Sequence, residues 1–411
     1  MGKAHTENGG GNLIGIIGGG LAGLSLAYHL RDSIVIEAKD RVGGLLRSER
    51  IEGYTFDTGG SHILFSRDEN ALRELVNIIG SVVEHRRRTF IFYNGRFIKY
   101  PFENGIHMLP KEERFEILYD FFMNYIKRKG KPKNLLEWFY HVFGRAITEK
   151  YLKPYNEKLW KTDLRRITLE WVGNRIPNPP VEDILKSCVG IPTEGYKHQL
   201  KFYYPLEGGI ETLARNLAKR CRVVTGERIN KIEREDGVFI LKGKREYICD
   251  KVVSTIPIDV TAKMLGLNVR LSYNPLTVVG LGGKGDLPDF HWIYVPDKDI
   301  VFHRVAFLHN YSPNMAPEGK INIIAEVSGR AEVEDVIEGL EKMGFDIEID
   351  VAMKWEWDYA YIVFDETYEK VEEIRNFLME NGIIPFGRFG NWEYLNMDAV
   401  WIKAKELAKV L

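Results

Sequence analysis

The feature that most constrains this chain is a glycine-rich turn close to its amino terminus. Gly18, Gly20 and Gly23 have the spacing G-x-G-x-x-G, between an apolar stretch and a helical pattern. The first glycine permits a tight turn, the second lets backbone approach a diphosphate, and the third lets a helix pack on a strand. The next apolar run ends at Glu37, where a carboxylate would accept hydrogen bonds from ribose hydroxyls. The pattern predicts a dinucleotide site; a glycine turn in an unrelated α/β protein is the alternative.

Length and composition set the outer limits. The 411 residues exceed the usual size of one hydrophobic core, so we expect two or three domains. The chain is 45% hydrophobic and 28% charged, as in folded globular proteins, and its net charge of −1 gives no overall attraction to nucleic acid or anionic membrane. Residues 13–30 lack charged side chains, but their five glycines argue against a membrane span, and none is predicted.

Cysteine and amide usage indicate the cellular setting. Cys188, Cys221 and Cys249 are far apart, without a CxxC pair, which argues against disulfides and zinc and favours a reducing cytoplasm; no metal site is predicted. Gln199 is the only glutamine in a chain rich in Lys, Arg and Glu, a bias typical of heat-adapted proteins. The basic run 85–90, "HRRRTF", predicts an exposed turn rather than a nucleic-acid site, because it stands alone.

Strand and helix patterns return far along the chain. "YYPLEGGIETLARNLAKR" places a glycine pair before an amphipathic helix, and "KVVSTIP" predicts a buried strand that rejoins the first sheet. The tail 397–411 predicts a closing helix with Asp398 as its N-cap. We therefore expect an α/β fold, a discontinuous Rossmann-like domain with an inserted helical domain and an inserted antiparallel-sheet domain. The predicted domains are residues 13–80 with 205–260 and 383–411, residues 105–200, and residues 81–104 with 261–382.

Two further segments resemble a flavoprotein family. "EAKDRVGG" and "FDTGGSHILF" are similar to segments of the family that includes amine oxidases, phytoene desaturases, protoporphyrinogen oxidases and UDP-galactopyranose mutases. The resemblance implies FAD as cofactor, held by the discontinuous domain, with substrate bound by the sheet domain. A solvated turn arginine is the alternative at position 41. The implied FAD contacts, besides the three glycines and Glu37, are Arg41, Gly43, Gly44, Val223, Asn396, Met397 and Asp398.

Blocks spread over nearly the whole chain are similar to the UDP-galactopyranose mutase family, more to its eukaryotic type than to its bacterial type. They include "KYPFENGI", "PYNEKLW", "WVGNRIPNPP", "FYYPLEGGI" and "GRFGNWEYLNMD". The resemblance implies a redox-neutral isomerisation between UDP-galactopyranose and UDP-galactofuranose, through a covalent adduct of the sugar with N5 of reduced FAD. A UDP-sugar is then the substrate, and NADH or NADPH as reductant and a homo-oligomer are open expectations.

Four residues take catalytic roles by this resemblance. Arg304 in "VFHRVAF" and Arg388 in "GRFGNW" match arginines on the substrate diphosphate, and Arg175 in "WVGNRIP" matches a position near sugar and flavin. His62 matches a histidine beside the flavin, although Ser61 here separates it from the glycine pair. A planar guanidinium binds phosphate oxygens as a bidentate fork, so arginines suit a diphosphate. Surface salt bridges and a structural histidine are the alternatives.

The implied substrate contacts are mostly aromatic. Several match positions that contact the uracil, the sugar or the phosphates, and the others match positions that line the cleft. The set is Tyr100, Glu103, Asn156, Trp160, Gln199, Trp292, Tyr294, Tyr361 and Tyr394. Glu103 stands where the eukaryotic pattern has an amide, which puts selectivity for uridine in question. Core packing is the alternative for Tyr100 and Trp160.

Three other functions stay open at this point. They are an FAD-dependent oxidoreductase of the amine oxidase or protoporphyrinogen oxidase type, a mutase for another nucleotide sugar, and a non-catalytic protein that binds nucleotide sugars. An oxidase site would be more apolar and would not need arginines from separate segments. The mutase hypothesis therefore requires Arg304 and Arg388 to meet beside the cofactor.

Overall fold

The computed structural model describes residues 12–172, 178–195 and 200–411. Arg175 and Gln199, two of the predicted site residues, lie outside these ranges. In chain order the described strands are β1 (Ile14–Ile17), β2 (Ser33–Ile36), β3 (Ser48–Ile51), β4 (Tyr54–Asp57), β5 (Val82–Arg86), β6 (Thr89–Tyr93), β7 (Arg96–Lys99), β8 (Lys201–Pro205), β9 (Val223–Val224), β10 (Lys231–Glu235), β11 (Val238–Lys242), β12 (Glu246–Cys249), β13 (Lys251–Ser254), β14 (Tyr273–Gly285), β15 (Trp292–Tyr294), β16 (Arg304–Phe307), β17 (Ile321–Ser328), β18 (Ile347–Ile362) and β19 (Ile383–Pro385). The described α-helices are α1 (Leu21–His29), α2 (Glu69–Ile79), α3 (Phe102–Gly105), α4 (Lys111–Lys127), α5 (Leu135–Ile147), α6 (Lys153–Trp160), α7 (Val181–Cys188), α8 (Glu211–Ala218), α9 (Ile258–Met264), α10 (Val333–Lys342), α11 (Val371–Glu380), α12 (Gly387–Gly390) and α13 (Met397–Leu407).

Strands from three distant parts of the chain form one parallel sheet. Its order is β19–β13–β1–β2–β9, and each neighbouring pair is parallel. All four residues of β1 and of β2 are buried, which requires cover on both faces and explains their nearly continuous apolar sequence. α1 packs against α8 and α13, so the carboxyl terminus of the chain returns to the first helix. The predicted α/β fold with a discontinuous Rossmann-like domain is confirmed.

A second sheet carries the predicted substrate side of the molecule. Its order is β18–β14–β17–β16–β15–β6–β7, antiparallel except for the parallel pair β15–β6. Two glycines of β14 let this sheet approach β4 closely. A Cβ atom at Gly280 would lie 2.7 Å from the Phe56 ring, and one at Gly282 would lie 2.7 Å from the Tyr54 ring. β4 itself is thereby held against β17.

A group of helices, α3 to α7, lies between β7 and β8 in chain order. α4 packs against α5, and α7 packs against α3 and α4, through apolar side chains such as Phe121 and Phe139. The domain boundaries given above stay predictions. Across the described ranges, no helix is both long and apolar enough to cross a bilayer. The same ranges hold no cluster of His, Cys, Asp and Glu side chains arranged for a metal ion.

Candidate active site

The first glycine turn forms an open cradle at the start of α1. Gly18 has φ +106°, which a side chain would strain, and a Cβ atom at Gly23 would lie 2.0 Å from the Gly18 carbonyl oxygen. A Cβ atom at Gly20 would instead meet no atom within 4 Å. Gly20 is also the N-cap of α1, and no side chain caps the helix there. The free N–H groups of the first turn therefore face open space, which fits a diphosphate.

A second glycine pair completes this cradle. Gly43 and Gly44 both have positive φ, +118° and +55°, and the Gly43 N–H donates to the Gly19 carbonyl at 2.8 Å. Gly20 and Gly43 pair as a parallel bridge, so the two turns lie edge to edge. The Glu37 carboxylate accepts from the Gly19 N–H at 2.7 Å, which fixes it beside the turn. Backbone amides for a diphosphate and an acid for ribose hydroxyls are thus adjacent, and these residues fit a dinucleotide cofactor.

Arg41 and Val223 lie at the margins of the cradle. The Arg41 guanidinium pairs with Glu49 at 2.8 Å and with Glu211 at 3.6 Å. Val223 is on the edge strand β9, whose flanking residues bond β2, so its own backbone groups point away from β2. The roles predicted for both in FAD binding stay predictions.

The start of α13 lies beside the same region, but its cap differs from the prediction. Asn396 is the N-cap, Met397 is the first helical residue, and no side chain caps the helix. The expectation that Asp398 is the N-cap is wrong, because its carboxylate accepts the Ser66 hydroxyl at 2.7 Å. This bond ties α13 to the segment that follows His62. The uncapped N–H groups fit the negatively charged edge of a reduced flavin.

The segment "FDTGGSH", residues 56–62, is anchored to the protein interior by its own buried carboxylate, Asp57. Burial raises the pKa of this carboxyl to about 6, while it accepts hydrogen bonds from Ser48 Oγ and Tyr204 OH, both at 2.7 Å. A Cβ atom at Gly59 would lie 2.1 Å from the Leu45 carbonyl oxygen, so only glycine fits. The chain can therefore pass directly over the second glycine turn on its way to His62.

His62 is a neutral imidazole with a defined tautomer. Its Nδ1 lies 2.9 Å from the Gly60 carbonyl oxygen, which can only accept, so Nδ1 carries the proton and Nε2 a lone pair. Burial lowers the pKa of His62 to about 4. Arg304 Nη2 donates to the carbonyl of the preceding residue, Ser61, at 3.4 Å, and Glu326 accepts the Ser61 N–H at 2.9 Å, so this ion pair adjoins His62.

Arg304 is held by a carboxylate that the sequence prediction did not include. Its Nε and Nη2 donate to the two oxygens of Glu326 at 2.7 and 2.6 Å. Burial acts to lower the pKa of Arg304, but Glu326 outweighs it and the pKa is raised. Glu326 is 1% exposed and also accepts the Ser61 N–H at 2.9 Å. The ion pair is therefore bonded directly to the loop that carries His62.

Arg388 is held in a different way. Its Nη2 donates to the Ala360 carbonyl at 2.9 Å, and its guanidinium carbon lies 4.0 Å from the centre of the Tyr394 ring. Its buried Nε has no hydrogen-bond partner among the described residues. Gly387 has φ +82°, and a Cβ atom there would lie 2.3 Å from the Cβ of Ala22 in α1. Arg388 therefore stands next to the first turn of α1, where the cofactor cradle begins.

Tyr361 joins the two arginines. Its hydroxyl donates to Glu326 at 3.4 Å and lies 3.1 Å from His303 Nε2. Burial and Glu326 raise the pKa of Tyr361, and the charges of Arg304 and Arg388 both oppose that rise. Arg388 donates to the carbonyl of Ala360, the residue before Tyr361, and the Tyr361 hydroxyl bonds the carboxylate that holds Arg304, so both arginines are anchored around Tyr361.

Comparison with known proteins assigns this arrangement to a family. The family model for flavin containing amine oxidoreductases matches residues 21–280, more than half of the chain. The chain belongs to this family.

Individual relatives divide between two chemistries. The crystal structure of a reduced UDP-galactopyranose mutase superposes with a TM-score of 0.89 and 24% identity, over 97% of this chain and 93% of that one, which shows the shared fold. Coproporphyrinogen III oxidase of Bacillus subtilis (strain 168) is 21% identical over 79% of this chain and 78% of its own. Polyamine oxidase 4 of Oryza sativa subsp. japonica is 24% identical over 60% of this chain and 51% of its own. The chain is therefore a flavin-dependent enzyme with FAD as its cofactor.

In this amine oxidoreductase family member, aromatic rings line one wall of the site. Tyr294 lies 4.6 Å from Tyr100 and 5.5 Å from Tyr155, between ring centres. The Arg87 guanidinium stands 4.8 Å from the ring centres of both Tyr100 and Trp292. The expectation of an exposed basic turn at 85–90 is wrong for Arg87, which is half-buried in this wall. No spacing between motifs indicates this contact, because β15 and β6 become neighbours only in the folded sheet.

The remaining predicted substrate residues are buried in the helical part of the flavoenzyme. Trp160 is 1% exposed and its indole N–H donates to Asn156 Oδ1 at 3.2 Å, while the Asn156 amide donates to Leu152. Glu103 is 4% exposed, and its charge acts to raise the pKa of Tyr100, behind the effects of burial, Tyr294 and Arg87. Cleft roles for Asn156, Trp160 and Glu103 stay predictions.

Glu326 had a signal in the sequence. It lies in "INIIAEVS", an otherwise largely apolar run in which all eight residues of β17 are buried. A carboxylate in such a strand requires a buried partner, because an unpaired charge is costly there. Some buried partner was therefore to be expected, and the pairing of β16 with β17 supplies Arg304 directly opposite Glu326.

Proposed function

We propose that this flavoenzyme is a nucleotide-sugar mutase that interconverts UDP-galactopyranose and UDP-galactofuranose. One observation carries the proposal. Arg304 and Arg388 come from a strand and a helix far apart in sequence, yet both are anchored around Tyr361. Arg304 pairs with Glu326, which accepts the Tyr361 hydroxyl, and Arg388 donates to the carbonyl of Ala360, the residue before Tyr361. Two guanidinium groups facing one space suit two consecutive phosphates, because each binds oxygens as a planar fork.

The arginines would hold the diphosphate while it leaves and returns to the sugar. The glycine cradle would hold the flavin, which when bound and reduced would provide nucleophilic chemistry for a reaction that is redox-neutral overall. The Arg388 guanidinium is held by the Ala360 carbonyl through Nη2 and by stacking against Tyr394. Arg304 is oriented by Glu326 through Nε and Nη2, which leaves Nη1 directed to the other side. Charge that develops on the departing diphosphate is thereby stabilised by fixed donors.

His62 and the aromatic wall would position the sugar and the base. The neutral ring of His62 presents the Nε2 lone pair, which accepts a hydrogen bond from a hydroxyl. Tyr100, Trp292 and Tyr294 supply flat surfaces, and Arg87 adds a cation between two of them. The predicted cytoplasmic location, heat adaptation and NADH or NADPH as reductant belong to this proposal as well.

A second candidate is oxidation of a porphyrinogen, which the relationship to coproporphyrinogen III oxidase favours. A coproporphyrinogen carries carboxylates, and arginines would bind those too. The two reactions differ in electron flow. Porphyrinogen oxidation reduces the flavin in every turnover, whereas the mutase leaves its redox state unchanged.

The test is an assay of the dithionite-reduced, FAD-loaded enzyme under anaerobic conditions. UDP-galactofuranose is supplied, and the sugar products are followed by chromatography and proton NMR. We expect many turnovers to UDP-galactopyranose per reduced flavin, with the flavin spectrum unchanged. Replacing dithionite with NADH or NADPH tests each reductant. No conversion, together with flavin reduction when oxidised enzyme meets coproporphyrinogen III, would replace this proposal with the second candidate.

A further inference from the structure

Helix α4 carries an apolar stripe that faces away from the protein. Phe115, Tyr119, Phe122 and Ile126 are 67%, 58%, 53% and 61% exposed. Their spacing of four, three and four residues puts them on one helix face. The opposite face is buried against the helical region through residues such as Phe121. An amphipathic helix needs one apolar face to pack, so the second one calls for a partner.

We propose that a second copy of this chain covers the stripe, with α4 packed antiparallel on α4 of its partner. The two-fold axis would cross the helix between Asp120 and Phe121. About that point the stripe reads the same in both directions. Phe115 of one copy would then lie opposite Ile126 of the other, and Tyr119 opposite Phe122. A symmetric dimer requires this self-complementary pattern.

Charges beside the stripe fit the same arrangement. Glu112 and Lys127 lie on one flank of the stripe, since successive helical residues are about 100° apart; Glu116, on the same flank, already pairs with Lys150 of its own copy at 3.0 Å. Antiparallel pairing brings the acidic end of each flank beside the lysine of the other copy, and it does so twice. The basic residues from Lys127 to Lys133 follow the stripe, so binding to an anionic membrane is the alternative that the vesicle experiment below separates from a dimer.

The exposed area is sufficient for a weak, specific dimer. Tyr125, 46% exposed, extends the stripe to five large side chains. With roughly 150–250 Å² for each aromatic ring, about half of it exposed, the stripe offers on the order of 500 Å² per copy. The sum for two copies reaches about 1,000 Å², the lower bound of specific interfaces. Val189 and Ile191, 62% and 50% exposed, border the helix and enlarge this surface.

Sedimentation velocity and light scattering on the full, FAD-loaded chain test the proposal. We expect a dimer at about 10 µM. Tyr119→Glu would place two carboxylates beside the two-fold axis and give a monomer. Met379→Glu, at a side chain 54% exposed on α11, is the matched control and should stay dimeric. Flavin absorbance and circular dichroism confirm that both variants fold.

A charge exchange makes the test specific to antiparallel pairing. Glu112→Lys and Lys127→Glu should each weaken the dimer by about tenfold at low salt, and the double variant should recover most of the loss. A monomeric wild type, or a dimer that Tyr119→Glu leaves intact, would overturn the proposal. So would a monomer that co-sediments with phosphatidylserine vesicles through this stripe. Since the readout is association, failure here leaves the proposed activity untouched.

Discussion

The two arginines of the candidate site, Arg304 and Arg388, differ in the groups that hold their side chains. Arg304 is paired through two hydrogen bonds with Glu326, which is 1% exposed. Arg388 bonds a backbone carbonyl and stacks on Tyr394. The first arginine therefore contributes to stability and position, whereas the second supplies positive charge that the protein leaves available for a ligand. Substitutions at the two positions should separate activity from stability.

Arg388→Ala should lower kcat/KM of the reduced enzyme at least about 100-fold, because a donor to the departing diphosphate is lost. Its Tm should move by only about 2 °C, since no carboxylate is stranded. Arg388→Lys should recover little, because an ammonium does not bind as a fork. Arg330→Ala, on a side chain 43% exposed and paired with surface acids, is the control. Unchanged kinetics in Arg388→Ala would remove this residue from the site.

Glu326→Gln should act mainly on stability. Removing one charge of a buried pair leaves Arg304 uncompensated, so we expect Tm to fall by on the order of 5–10 °C. A combined Arg304→Met and Glu326→Leu variant should regain part of that loss, because no buried charge remains. Thermal unfolding followed by flavin fluorescence measures both. If Glu326→Gln has the same Tm as the wild type, the Arg304–Glu326 ion pair does not contribute to the stability of the folded protein.

At this scale the sequence allowed some residues to be predicted and hid others. Arg304 and Arg388 stand in segments with family resemblance, so both could be named in advance. Arg87 could not, because its neighbours Tyr100 and Trp292 reach it only through strand pairing. The position of Glu326 in an apolar strand indicated only that its carboxylate must have a buried partner, not which residue that partner is.

The glycine turn at the start of α1 separates two uses of glycine within one element. A Cβ atom at Gly23 would collide with the Gly18 carbonyl, whereas one at Gly20 would enter open space. Helix packing therefore requires glycine at position 23, and ligand access requires glycine at position 20. This division agrees with the roles that the motif predicts for its second and third glycines.

Gly20→Ala should give a folded protein that lacks cofactor. Its φ of −75° suits alanine, so we expect the Tm of the FAD-free protein to change by about 2 °C or less, while FAD content falls about tenfold. Gly23→Ala should instead destabilise the FAD-free protein itself, by on the order of 5 °C or more. Absorbance near about 450 nm gives the flavin content. Equal behaviour of the two variants would contradict this division.

Element boundaries followed local pattern, but capping did not. The β1–α1–β2 unit and the start of α13 agree with apolar periodicity and glycine placement. The predicted cap at Asp398 failed because its carboxylate is bonded to Ser66, which lies 332 positions earlier in the chain. A capping prediction from neighbouring residues cannot take account of a hydrogen-bond partner so distant in sequence.

The pH dependence of stability belongs to the whole molecule. Burial lowers the pKa of His62 to about 4, and that of His291 and His303 to about 3. In the unfolded chain these rings bind protons below their ordinary pKa of about 6.5. Because the unfolded state then holds more protons, stability must fall as pH falls from about 6.5 toward 4.

Thermal unfolding between pH 7.5 and 4.5 measures this effect. We expect Tm to be level above about pH 7 and to fall steadily below pH 6.5. His291→Phe removes one of the three rings outside the proposed diphosphate site, so its curve should be flatter. A wild-type Tm that stays constant or rises on acidification would show that these histidines are protonated in the folded protein.

At the scale of the whole molecule, the class of the fold could be predicted from the sequence, whereas the order of strands in the second sheet could not. A discontinuous parallel sheet was expected from the return of strand–helix patterns, and the structure has it. The order of the seven-stranded sheet was not predictable, because β6 and β15 are about half of the chain length apart in sequence. That one pairing brings the aromatic wall beside the arginines. The composition of the site thus follows from strand order rather than from any single motif.

The most direct measurement is a crystal structure of the reduced, FAD-loaded enzyme with UDP. We predict diphosphate oxygens within about 2.7–3.2 Å of guanidinium nitrogens of both Arg304 and Arg388, over the exposed face of the flavin. UDP bound elsewhere, or at this face with either arginine turned away from the phosphates, would contradict the account.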